Sequence, residues 1–314
     1  MGDVYGHDKG KDSLMQTRGM KSLIINVDDV GLSDAINGAA KECYLSGAIT
    51  GVSVIACGRR FREACAVLRD LGKTETGVHL TLTGGLRPCT GDLSLINSLL
   101  RKNGTFVRGY MNLAVLYSLG RIAAGQIYLE LGNQIKRLKE EGLRVTHLDS
   151  HEHIHMFPPV LKVAVTLAHE FDIPYIRLPR EVPAVIRKRF SVRDLLRLAG
   201  LKAFTPGAER TISRAQVKCN AAFLGHFHSG RIDDDILCFM MKNLAEGVNE
   251  LAVHPGVMSR ELMDESPWHR NAPVELDALL NGRWRKIADS GKIPLISHRE
   301  AVSFQARSGA GEGT

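Results

Sequence analysis

Residues 22–33, Ser22-Leu23-Ile24-Ile25-Asn26-Val27-Asp28-Asp29-Val30-Gly31-Leu32-Ser33, decide how the rest of the chain is read. The apolar run Leu23–Val27 reads as a buried strand, and it ends on two adjacent carboxylates, Asp28 and Asp29. Gly31 breaks the strand, and Ser33 is placed to cap a helix that begins near Asp34. In an α/β sheet, side chains at the C-terminal ends of strands face the ligand crevice. Two acids there repel each other unless a cation or a shared proton relieves them. Turn and cap chemistry also produces Asp-Asp after a strand, so the reading depends on what converges on the pair.

Outward from this stretch, Ile36, Ala39, Ala40 and Cys43 recur at helical spacing and Gly47 stops the helix. Further strands are expected at 49–56, 77–82, 144–149, 173–178, 221–225, 249–254 and 293–297. Helices are expected near 60–71, 125–141, 159–171, 232–246 and 274–289. Such alternation implies mostly parallel strands joined by crossover helices. The expected class is α/β: a distorted TIM-like (β/α) barrel, a single domain over 20–306 with insertions at about 84–122 and 181–215. Residues 1–19 read as a disordered leader and 307–314 as a flexible tail. The first insertion looks like a lid over one end of the fold. The second is basic and leucine-rich, with Arg187, Lys188, Arg189, Arg193, Arg197 and Lys202 among Leu195, Leu196, Leu198 and Leu201. It reads as an amphipathic surface helix, or more sharply as a surface that docks an anionic or membrane-borne substrate.

The bulk numbers narrow the classes. The 314 residues are 44% hydrophobic and 24% charged, ordinary for a globular protein. The net charge is +7 and the pI about 9.1, but Lys and Arg are mostly dispersed, which suits a solvated face; no nucleic-acid partner is expected. Six cysteines (43, 57, 65, 89, 219, 238) form no C-x-x-C pair and mostly sit in apolar segments, as buried thiols of a cytoplasmic protein do. No apolar run approaches transmembrane length, and the first twenty residues lack the apolar core of a secretory signal.

Histidines supply what the aspartates lack. His79 ends the third strand, and the fourth runs into His147, Asp149, His151, His153 and His155. Alternate residues of an extended chain share a face, so several of these point one way. His254 closes the seventh strand similarly, whereas His226 and His228, near the sixth, are better read as ordinary structural residues. His151-Glu-His-Ile-His155 formally matches H-E-x-x-H, but that signature works only on a helix. Here a strand leads in and Pro158-Pro159 follow at once. Nucleophile-elbow, phosphate-loop and dinucleotide fingerprints are absent. The residues therefore predict one Asp and two or more His around one divalent ion, with open positions for water and substrate. A neighbouring carboxylate would accept a proton from that water and a histidine would donate one to the leaving group, which fits hydrolysis of an amide or ester.

Asn26-Val-Asp-Asp-Val-Gly-Leu-Ser33, Gly77-Val-His-Leu80, Thr146-His-Leu-Asp-Ser-His151 with His153 and His155, and Val253-His-Pro-Gly256 together resemble the YdjC-like carbohydrate deacetylases. That group includes chitooligosaccharide deacetylases and hopanoid-biosynthesis-associated deacetylases. The resemblance spans about 21–300 and keeps the family's motif order. It implies a (β/α) barrel that removes acetyl groups from N-acetylated sugars with a divalent metal, Mg2+ or Zn2+. Carried over by position, Asp29, His79 and His151 are the expected ligands, Asp28 the general base and His254 the acid. His153 is expected to bind substrate or to support the ligands, alongside Asp149 and His147. Val30 stands where the family usually has Phe, a change in packing beside the acids. The hopanoid-associated branch acts on a lipid-linked sugar, so membrane contact through the basic stretch and a soluble chito-oligosaccharide are both open, as is a homodimer. Competing readings are a metal-dependent phosphoesterase or C–O hydrolase on a similar barrel, and a metal-containing sugar-binding protein without catalysis.

Overall fold

The computed structural model describes residues 20–73, 75–182 and 192–309. Its framework is seven strands: β1 (Lys21–Val30), β2 (Gly51–Val54), β3 (Glu75–Leu80), β4 (Arg144–Ser150), β5 (Tyr175–Ile176), β6 (Ala222–Leu224) and β7 (Gly247–Val253). Every pairing is parallel, in the order β5-β4-β3-β2-β1-β7-β6. The sheet curls until its edges meet. Ile176 N donates to Lys218 O at 2.9 Å and Val182 N to Phe223 O at 3.1 Å, joining the β5 side to the β6 side. The result is the expected distorted (β/α) barrel.

Its crossover helices are α1 (Asp34–Leu45), α2 (Phe61–Asp70), α3 (Tyr110–Ser118), α4 (Ala124–Glu140), α5 (Pro158–Glu170), α6 (Val192–Arg214) and α7 (Asp234–Lys242). After β7 come α8 (Arg260–Glu265), α9 (Ala272–Asn281), α10 (Trp284–Ser290) and α11 (His298–Gly309). The single helix expected at 274–289 is two, because Gly282 is extended (φ −71°, ψ 155°). The eighth strand expected at 293–297 is only a bridge from Leu295 to Leu23. It runs beside the first residues of β1, ahead of the point where β2 takes over at Asn26.

Alternation along β1 separates the two environments. Leu23, Ile25 and Val27 join the large core between sheet and helices, where each fully buried side chain contributes about 1.5–3 kcal/mol. Ile24 points the other way and joins Tyr175, Val248 and Ala301, so the barrel interior is plugged with apolar groups beside α11. Farther along β1 the buried residues turn polar, with Asn26 and Asp28. The barrel is therefore apolar at one end and hydrogen-bonded at the other.

The first insertion holds a 3-10 turn (Leu93–Leu99) and α3. It is tied to the polar end, since Glu152 Oε2 accepts from Tyr110 N, at the start of α3, at 2.9 Å. The second insertion is described only in part, with α6 its main element; residues 183–191, Arg187, Lys188 and Arg189 among them, lie outside the described residues. So do the leader 1–19 and residues 310–314 of the tail.

Candidate active site

In a regular strand neighbouring side chains face opposite ways, so Asp28 and Asp29 would diverge. The β1–β2 register shifts between Val27 and Val30, and Asp29 is left-handed (φ 61°). That irregularity brings both carboxylates to the barrel mouth. Left-handed backbone costs a typical L residue roughly 1–2 kcal/mol, and Asp is among those that tolerate it best. The turn beyond is held by Asn37 Oδ1, which accepts from Gly31 N at 2.8 Å, and by Ser33 Oγ, which caps α1 through Ile36 N.

Asp29 is the centre of a histidine cluster. Its Oδ1 lies 2.8 Å from His151 Nδ1 and 3.3 Å from His79 Nε2, and its Oδ2 lies 3.2 Å from His269 Nε2. Donor atoms of Asp29, His79 and His151 all fall within 4.8 Å of one another. His79 Nδ1 is bonded to Asp149 Oδ1 at 2.9 Å, which turns Nε2 toward Asp29 in the carboxylate–histidine arrangement typical of metal ligands. One carboxylate and two imidazoles are a donor set suited to a divalent ion with open positions.

Asp28, His79 and Asp149 also lie within ligating distance of one another, but a guanidinium already spans the two acids. Arg177, fully buried, donates to Asp28 Oδ2 and Oδ1 at 2.6 and 2.8 Å, and pairs with Asp149 Oδ2 at 2.7 Å. Its Nε donates to Glu250 Oε1 at 2.6 Å, while Tyr175 OH donates to Glu250 Oε2. Three buried carboxylates, Asp28, Asp149 and Glu250, thus share one guanidinium, with a fourth, Asp29, beside them. Asp29 is the one that Arg177 does not reach, and the histidines His79, His151 and His269 surround it instead.

The same charges set the proton affinities. Burial raises the Asp28 carboxyl, but Arg177, His79 and His254 outweigh it and hold it at about 2. Glu250 is brought to about 2 against burial by Arg177 and His298. Burial opposes charge on His79 too, yet Asp149 and Asp28 carry it up to about 10. Burial pushes His254 down to about 4, with Asp28 and Asp29 pulling the other way. His254 ends β7 with Nε2 4.0 Å from Asp28 Oδ2, Nδ1 4.0 Å from Glu275 Oε2, and Trp268 edge-on at 4.8 Å.

Glu152 and His153 are both left-handed (φ 56° and 54°), so His151–Met156 is a kinked 3-10 segment in which H-E-x-x-H has no shared face. His155 instead bonds Ser150 Oγ and Arg177 O. His153 Nδ1 is buried without a hydrogen-bond partner, its ring 5.1 Å from that of His226. His147 lies beneath the site, stacked on His298 at 3.4 Å and bonded to Ser53, which donates to Asp149. It is buried and reaches Asp149 only by way of Ser53.

The sequence model of the family described as YdjC-like protein matches residues 22–290. The chain belongs to that family. A relative named carbohydrate deacetylase from Thermoanaerobacter pseudethanolicus is 28% identical over 256 residues, covering 82% of this chain and 89% of its own. Another of that name, from Brevibacillus brevis, is 24% identical over 279 residues, covering 88% and 98%. A solved structure from Enterococcus faecalis, described as a candidate cellobiose-phosphate cleavage protein, superposes with a TM-score of 0.71 at 22% identity, covering 90% of this chain and 98% of that one. It supports the fold.

Sequence reading of this YdjC-like protein passed over Arg177, Glu250, His269 and Glu275. Two left a signal: Arg177 and Glu250 are charged residues inside runs read as buried strands. His269 and Glu275 left none, since they lie beyond β7 and meet the site only through the closed barrel.

Proposed function

We propose that this YdjC-like protein is a divalent-metal-dependent carbohydrate deacetylase that hydrolyses the acetamide of an N-acetylated sugar. The observation that carries the reading is the convergence of Asp29, His79 and His151 beside an ionised Asp28 with His254 on its far side. The two relatives' names agree with it. Asp29, His79 and His151 would hold the ion, Mg2+ or Zn2+, which when bound polarises the amide carbonyl and acidifies water.

The residues supply the proton path. Asp28, held by Arg177 and Asn26 Nδ2, is a fixed acceptor for a water proton but a weak base at about 2. His254, at about 4, starts neutral and is the better resting place. A proton taken by Asp28 therefore passes to His254 Nε2 and on to the departing amine. Water oxygen bonds the acetyl carbon as the C–N bond breaks, giving acetate and a free amino sugar. His153, half-buried beside His226, is assigned either to a sugar hydroxyl or to support of the ligands.

Acetate release from a panel of N-acetylglucosamine oligomers and conjugates, with chelated protein reconstituted by each ion, tests this; no release with any ion refutes it. Among the described residues, Arg177 is the guanidinium at the site and is committed to three carboxylates, which weighs against the phosphoesterase reading.

Membrane contact is part of the proposal. Met111, Val115 and Leu119, in and just after α3, and Leu195, Leu196 and Phe204 of α6 are exposed. A groove of about 470 Å3 between them is lined by Tyr117, Phe157, Phe204 and Lys162. Among the described residues no helix is long and apolar enough to cross a membrane, so the contact would be peripheral. Absence of liposome co-sedimentation, with fast turnover of N,N'-diacetylchitobiose, would end the lipid reading in favour of a soluble substrate. The six free thiols suit a reducing cytoplasm, the location we assign.

A further inference from the structure

We propose that His269 is a positioning residue for the metal-facing carboxylate, holding Asp29 Oδ2 so that Oδ1 alone is presented between His79 and His151. The inference rests on the metal-binding reading above and adds a third histidine around Asp29 that the motifs do not contain.

The two oxygens of Asp29 have divided partners. Oδ1 faces His151 Nδ1 and His79 Nε2, the two imidazole donors, while Oδ2 faces His269 Nε2 at 3.2 Å. A carboxylate oxygen only accepts, so His269 carries its proton on Nε2 and donates it. The other ring nitrogen, Nδ1, is 2.8 Å from Ser266 Oγ, which fixes the ring's rotation. His269 is 1% exposed, so neither contact is shared with bulk water.

The segment that delivers the ring is itself clamped. Ser266 N donates to Leu262 O at 2.8 Å, His269 N donates to Ser266 O at 2.9 Å, and Asn271 Nδ2 donates to Gly230 O at 2.9 Å. Trp268 lies edge-on to both His269 and His254, with ring centroids 4.9 and 4.8 Å away. A Cβ at Gly230 would come within 3.1 Å of the Trp268 ring, so that glycine lets the indole sit close. Asp29 needs such an anchor, because it stands in left-handed backbone at the end of a strand whose register has slipped. A carboxylate free to rotate could chelate with both oxygens; one tied at Oδ2 presents a single donor and leaves the other positions open.

Zn2+ titrated into the chelator-treated full-length protein, followed calorimetrically, tests the assignment. His269→Phe keeps the ring's bulk without the donor and should weaken Zn2+ binding about 10–100-fold. His269→Gln, which restores an N–H near the Nε2 position, should recover most of that loss. Melting temperatures of the metal-free forms should stay close, so the difference reads positioning and not folding. Wild-type affinity in His269→Phe, with His151→Ala having lost the ion, would overturn the inference and leave the metal reading standing. No Zn2+ or Mg2+ uptake by the wild type would overturn both. If the phenyl ring prevents folding, Gln against Ala at this position carries the same comparison, and equal affinities refute the donor role.

Discussion

Replacing Arg177 by Met is the sharpest test of the electrostatics. The side chain is buried and makes contacts of 2.6–2.8 Å to Asp28, Asp149 and Glu250. Removing one partner of a buried ion pair typically costs about 3–5 kcal/mol, and here a single removal strands three acids. At neutral pH the loss should therefore reach at least about 3–5 kcal/mol, a large part of the roughly 5–15 kcal/mol that domains possess. The pH dependence gives the sign. In the wild type Asp28 and Glu250 sit at about 2, so their stabilisation is complete above their ordinary values of 3.8 and 4.5 and is lost as pH falls through about 2. In Arg177→Met burial acts unopposed by the guanidinium and raises both carboxyls, so the variant gains stability as pH falls and they protonate. Urea unfolding followed by circular dichroism near neutral pH and near pH 5 should show the gap between the two proteins narrowing on acidification. A gap under about 1 kcal/mol at neutral pH, or one that does not shrink on acidification, would refute the reasoning.

Asp28→Asn should retain metal affinity and lose acetate release by about 10²–10⁴-fold, as loss of a proton acceptor does; full activity would remove Asp28 from the proton path. His151→Ala should leave the purified protein depleted of metal, which elemental analysis reads directly, and unchanged content would exclude it as a ligand. Chelation should lower the melting temperature of the wild type, and returning the ion at about 100 times its Kd should restore about 2.7 kcal/mol. Gly77→Ala places a Cβ 2.2 Å from His147 Nε2, and should cost about 1–3 kcal/mol in thermal unfolding by pushing that ring off His298.

Much of this was legible along the chain. Strand–helix alternation gives the parallel barrel because each strand's apolar run and each helix's spacing report local burial. The strand-end positions of Asp29, His79, His151 and His254 follow from where those runs stop, and their residue types are what the proposed metal chemistry is read from. Only the tertiary structure decided how the charges are shared. That Asp28 and Asp29 point the same way depends on a register slip and one left-handed residue, neither of which alters hydrophobic periodicity. Arg177 reaches Asp28 across 149 residues and His269 reaches Asp29 across 240. A sequence shows that a charged residue is out of place in a buried strand; which opposite charge balances it is settled when the sheet closes.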